Sequence, residues 1–387
     1  MKKILILFFL FLCSCMICFA QFSDYKKGRL SAEIELQGYF TNNEFKRHVT
    51  YGYTVGGVRF VPKLSYNLTD KIKFYFGFSA LRLWGTNDYP LNSYVLIPVY
   101  EKDNKQKLLH TLPYLRFEWK INPQTLFILG NTDKNEGHLL NVALWNPELK
   151  FTMDYEEGLQ IKHFSKYWSN DLWLNWQKFN YINDVDRESF LLGTSGKLNT
   201  DYEKKHVLFF NYAFMWQHHG GELDTLKSLP LDHWVNGSFG LGYTLRLKNK
   251  IKELSFSLDW VYCKSLRNDT WYFKQGSGIL ANISALGNNY KVGMGYYYSK
   301  NMTSFYGSAF FSNIAQRNPE EYYPKNHLIY AQFSYTPYKA GDANISLFTN
   351  LYYKLDTKTN LGTENRSLSF SFGIGMDFTT KHTVKDF

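Results

Sequence analysis

The densest group of side chains able to hold a metal or activate water is His218-His219-Gly220-Gly221-Glu222-Leu223-Asp224, with two imidazoles and two carboxylates in seven residues. Its spacing argues against both chemistries. Adjacent residues at a strand end point to opposite faces, so His218 and His219 diverge, and HHGGELD reproduces no zinc-ligand spacing. Ser195, in Gly193-Thr194-Ser195-Gly196, lacks the turn that lifts a nucleophile out of a sheet and reads as a small strand residue. Cys263 reads as an inert core thiol. Gly56-Gly57 and Gly373-x-Gly375 fall inside strand patterns rather than at a helix start, so they serve strand curvature or clearance and not phosphate binding. No catalytic residue, metal site or cofactor is expected, and the chain reads as a non-enzyme.

What remains is charge. Acids gather in one stretch, 132–156, as Asp133, Glu136, Glu148, Asp154 and Glu156. Cations are dispersed instead: Arg59, Lys63, Lys73, Arg116 and Lys162 each sit among alternating apolar residues, always on the polar side of the alternation. Whether the two sets meet depends on the elements that carry them.

Those elements are strands. In residues 367–378, SLSFSFGIGMDF, every second residue is large and apolar and those between are small or polar, which only a two-residue period sorts onto separate faces. The same period runs through Ala32, Ile34, Leu36 and Phe40, then through Val58, Phe60, Leu64 and Tyr66, and through Ile72, Phe74, Phe76 and Phe78. Further strands are read over 109–120, 125–131, 157–164, 171–180, 189–198, 206–217, 234–247, 253–263, 290–300, 304–312, 328–338 and 343–354, with 278–286 placed in a loop. Pro62 and Pro113 lie within strands and should mark bulges or irregular ends. Short links (67–70, 121–124, 165–170, 199–205, 248–252, 301–303, 339–342) alternate with longer ones, so both ends of the strand set fall on one side. The fold class is all-β, a transmembrane antiparallel barrel of about sixteen strands, within roughly 14 to 18, with both termini periplasmic.

The start of the chain agrees. Lys2 and Lys3, an apolar run and small residues ending at Ala20 have the order of a secretory signal, with cleavage expected after Ala20; lipid attachment at Cys15 is the rival. The expected organisation is 1–20 signal peptide, 21–30 periplasmic segment, 31–378 barrel and 379–387 tail. Removing 1–20 takes three of the four cysteines and leaves no disulfide framework. It also lowers the 44 Lys and Arg by two against 34 acids, a balance of +8. Export and the scattered cations argue against nucleic acid; a basic channel wall or acidic lipid fits better. Aromatics make up 19% of the chain, yet no later stretch approaches a transmembrane helix, which a barrel does not need.

The leader, the even strand set and a closing strand ending on an aromatic resemble the Gram-negative outer-membrane porins; the Gln21 start and aromatic strands resemble uncharacterised barrels of the Bacteroidota. The resemblance implies insertion by the barrel-assembly machinery into outer-membrane lipid, a homotrimer as a possible state, and a diffusion channel for small polar or anionic solutes. In porins the third outer loop narrows the bore, and here that loop is 132–156. Its acids, opposite the five inward cations, would set a transverse field with a modest anion preference. A barrel for surface binding, secretion or assembly is the alternative, and a barrel hydrolase a further one.

Overall fold

The computed structural model describes residues 22, 24–46, 49–85, 109–133, 137–178, 188–220, 231–267, 273–315, 318, 320–340, 343–355, 358–364 and 366–387. The expected signal peptide lies outside them. Sixteen strands among these residues close into one antiparallel cylinder: β1 (Arg29–Glu44), β2 (Tyr53–Asn67), β3 (Ile72–Trp84), β4 (His110–Asn122), β5 (Thr125–Asn131), β6 (Glu157–Phe164), β7 (Trp168–Lys178), β8 (Ser189–Asn199), β9 (His206–His219), β10 (Asp232–Arg246), β11 (Ile251–Ser265), β12 (Gln275–Gly287), β13 (Tyr290–Lys300), β14 (Asn326–Ala340), β15 (Ala343–Lys354) and β16 (Ser367–Asp386). Each pairs with its sequence neighbours and β1 pairs with β16, so every ladder is closed and no edge is left.

The two-residue period decides which way each side chain faces. On β2, Val58, Phe60 and Leu64 stand exposed on the outer wall while Val55, Arg59, Val61, Lys63 and Ser65 are buried inside. On β16, Leu368, Phe372, Ile374 and Phe378 face out, and Ser369 and Ser371 face in. An apolar exterior around a polar-lined wall is the arrangement that lipid requires of a barrel. Links of two to six residues (68–71, 123–124, 165–167, 200–205, 247–250, 288–289, 341–342) share one end with both termini, the turn end; the longer links occupy the other, the loop end.

Two stretches exchange roles relative to the sequence expectation. Residues 278–286, expected in a loop, form most of β12, registered as Leu280↔Asp259 and Ile283↔Met294. Residues 304–312, expected as a strand, belong instead to the link 301–325. Gly287-Asn288-Asn289 is the tight-turn signal that makes GILANISAL a strand, whereas Phe305-Tyr306 and Phe310-Phe311 put large rings side by side and break the two-residue period. One strand gained and one lost leave the count unchanged. Residues 379–387, expected as a tail, continue β16 to Asp386 alongside β1, and the Phe387 N–H bonds Gly28 O at 2.9 Å. Pro62 interrupts the β2–β3 ladder between Phe60↔Ala80 and Lys63↔Gly77 without a register shift, and Pro113 lies beyond the β4–β5 ladder, which begins at Arg116↔Gly130.

Candidate functional site

Two links turn into the bore at the loop end and pack on each other: the Trp145 and Tyr306 rings are 5.3 Å apart, and Asn146 N–H donates to Tyr306 O at 2.7 Å. The wall at this level is apolar on its inner face, with Trp173, Leu191, Met215, Val261, Leu280, Tyr297 and Leu328 all fully buried against Leu144, Leu149, Met302, Phe310 and Tyr323. Loop backbone taken out of water needs partners. Strand asparagines supply them: Asn236 bonds Thr303 O at 2.8 Å and Phe305 N at 3.0 Å, and Asn326 bonds Phe310 O at 2.9 Å. This plug reaches the opposite wall through Arg59, whose guanidinium donates to the carbonyls of Lys150, Phe151 and Met153.

The second anchor is His138. Gly137, His138 and Leu139 all hold positive φ, a left-handed turn that side chains rarely adopt. The His138 ring, fully buried, stacks on Trp173 at 4.0 Å between Asp171 (Nδ1, 3.0 Å) and Glu156 (Nε2, 2.8 Å). Burial alone would lower its pKa, but the two carboxylates carry it up to about 10. With both nitrogens committed to acids, His138 is a cationic pin. Glu148 behaves oppositely: buried, and accepting from Tyr53 Oη at 2.5 Å, it is pushed up to about 7 by desolvation.

Each of the five cations is engaged, Arg59 by the plug carbonyls and the other four in ion pairs. Lys63 pairs with Glu35, Lys73 with Glu33 at 3.2 Å, Arg116 with Glu118 at 2.6 Å and Lys162 with Asp133 at 2.7 Å. Of the acids, Glu156 holds His138 and Asp154 holds His110 at 2.9 Å; Glu136 lies outside the described residues. Of the four cation pairs, Lys162–Asp133 joins the wall to an acid of the 132–156 loop and the other three close within the wall, since buried charges persist only when neutralised at close range. The loop carries one α-helical turn, Leu149–Thr152, just after Pro147.

On the outer wall, His218 and His233 are direct cross-strand partners at the loop end of β9 and β10. His218 shares the parity of Leu208 and Phe214, and His233 that of Phe239 and Leu241, all exposed outward; Asp232 turns inward. Rings hold the pair in place: Trp176 stacks on Phe190 at 5.1 Å, Phe190 on His218 at 4.6 Å and Trp216 on His233 at 5.5 Å. The two Nδ1 atoms are 3.3 Å apart. Such a contact needs one Nδ1–H and one Nδ1 lone pair, so a neutral pair is asymmetric: one ring presents Nε2 as an acceptor and the other presents Nε2–H as a donor. Sequence spacing hides the pair, since 15 residues separate its members; only the hairpin register across the 220–231 link brings them together.

A closed sixteen-strand cylinder, apolar outside and plugged within, is an integral protein of the bacterial outer membrane. In fold it is similar to OprD of Pseudomonas aeruginosa (TM-score 0.50, 8% identity, 94% of this chain and 96% of that one) and to OccAB1 of Acinetobacter baumannii (TM-score 0.51, 8% identity, 94% and 100%). No curated protein matches the sequence. The family model described as lipid A 3'-O-deacylase-type matches residues 22–387, and the chain belongs to that family. This overturns the expectation of a non-enzyme, because the family is described by an enzymatic activity.

Proposed function

We propose that this chain is a hydrolase of acylated outer-leaflet lipid, of the lipid A 3'-O-deacylase type, working on the outer wall at the loop end. The observation that carries this reading is the His218–His233 pair held among Trp176, Phe190 and Trp216. An acyl ester anchored in a bilayer lies at headgroup depth beside the barrel, so groups acting on it must face outward near the rim, where aromatic rings also sit favourably. The reading places the loop end at the cell exterior. The acceptor Nε2 takes a proton from the water whose oxygen bonds the acyl carbon, and the donor Nε2–H meets the carbonyl oxygen as charge develops on it. The proton passes to the leaving sugar oxygen as the ester C–O bond breaks, giving fatty acid and a free hydroxyl. Imidazole suits this work because it changes protonation near neutral pH.

Free fatty acid released from lipid A vesicles carrying the reconstituted protein, followed by mass spectrometry, is the test. His218→Asn and His233→Asn each abolish release in this account. Unchanged release in both variants rejects the site; no release by the wild type rejects the function.

A diffusion channel for small polar or anionic solutes is the second reading. A cavity in the bore that reaches toward the turn end favours it, as does a third loop lying inside the barrel. The plug weighs against it, and electrical conductance separates the two.

A further inference from the structure

Below the plug the bore opens into a cavity of about 700 Å³ that reaches toward the turn end, where Lys197 and Lys291 line it near the ends of β8 and β13. Two features of its lining are unusual together. Three aromatic rings lie nearly parallel: Tyr39 and Phe151 at 5.1 Å and 21°, Phe151 and Phe348 at 6.5 Å and 12°. Each lies over a glycine of the wall. A Cβ at Gly57 would come within 2.6 Å of the Tyr39 ring, one at Gly375 within 3.0 Å of Phe151, and one at Gly373 within 2.4 Å of Phe348. The glycines leave room for the ring edges against the wall, and the three rings follow one another in a row. Elsewhere the lining mixes apolar side chains such as Phe45, Leu140 and Phe209 with uncharged hydroxyls and amides, among them Ser257, Asn282, Gln332, Ser334 and Asn350.

We propose that this cavity is a binding site for neutral oligosaccharide. A pyranose has flat faces of C–H bonds, positively polarised, and a rim of hydroxyls that both donate and accept. The C–H face matches the negative face of an aromatic ring, and an extended sugar chain matches a row of such rings. Hydroxyl and amide side chains can donate and accept in the same way, so they pair with sugar hydroxyls without the desolvation cost of charge. The nearest charges of opposite sign, Lys150 and Asp377, pair with each other at 2.7 Å, so the row of rings does not select an ion. The volume suits a few sugar units. The site stands apart from the His218–His233 pair, on the inner side of the wall.

Saturation-transfer NMR on the full-length barrel in a sugar-free zwitterionic detergent tests the proposal, with maltotriose as the probe and an anionic trisaccharide as control. Maltotriose is expected to bind, with the strongest transfer to its ring C–H protons. Phe151→Leu and Phe348→Leu each weaken binding about three- to tenfold. Gly375→Ala, whose Cβ would meet only the tip of the Phe151 ring, at 3.0 Å, weakens it as well. Retained heat-modifiable gel mobility confirms that each variant is folded. No transfer to maltotriose, transfer unchanged in both phenylalanine variants, or preference for the anionic sugar overturns the proposal. Fatty-acid release does not bear on it, so each reading fails separately.

Discussion

The two halves of the bore share one wall and one strand pattern, yet they are built for opposite ends. At the loop end, inward positions carry Trp173, Met215, Leu280 and Tyr297, and two links fill the space between them. At the turn end, inward positions carry Ser255, Ser257, Gln332 and Ser334, and the space stays open. Inward residues of a membrane barrel normally meet water and are polar. Where they are apolar, something dry must cover them, and here that cover is the protein's own loops. The comparison teaches that the inward face of each strand, read half by half, reports what fills the bore at that depth.

The comparison can be broken most forcefully at the His138 pin. His138→Ala leaves Glu156 and Asp171 buried without their cation, which costs roughly 3–5 kcal/mol. The plug should detach on that side, and hydrogen exchange at 137–153 should rise while the barrel amides stay protected. The stabilisation by His138 is full below its ordinary pKa of 6.5 and is lost as pH rises through about 10, so the wild-type loop should become exchange-labile in that alkaline window.

Trp145→Ala removes the largest ring shared by the two links, at a cost of roughly 3–5 kcal/mol offset by whatever collapse the loops allow. Liposome swelling with small sugars should become faster than for the wild type. Asn236→Ala leaves Thr303 O and Phe305 N without their partner, about 1–3 kcal/mol, and should loosen the link 301–325 but not 132–156.

The smallest effect sharpens the boundary between the halves. Glu148 lines the cavity from the plug side, and its raised pKa means that the folded loop holds a proton there which the free loop would lose. Its contribution is full below about 4.5 and is lost as pH rises through about 7, so loop exchange should increase a few-fold across that range. Glu148→Gln should remove this dependence and leave the alkaline one.

Much of the fold was legible because lipid imposes a strict rule: outward residues must be apolar wherever a strand crosses. Hence Val58, Phe60 and Leu64 were assigned to one face and Arg59 and Lys63 to the other, as the structure has them. The rule fades where both faces are apolar. Phe214-Met215-Trp216 and Tyr296-Tyr297-Tyr298 carry no alternation, because one residue of each meets the plug and its neighbours meet the exterior. The same loss of contrast let 304–312 pass for a strand. The five cations stand on the polar side of the alternation, but their partners were not readable: Glu118 shares β4 with Arg116, Glu35 lies on β1 beside Lys63 of β2, and Glu33 of β1 reaches Lys73 two strands away on β3, pairings that no local pattern encodes. The His218–His233 pair was hidden for the same reason.

The central claim is that the bore is closed by its own loops and that the working surface is therefore the outer wall. Planar-bilayer recording of the purified full-length protein tests it most directly. The account predicts no steady ohmic current from the wild type, and stepwise openings once Trp145 is replaced by alanine. Stable open-channel steps from the wild type, at neutral pH and without any substitution, would contradict it.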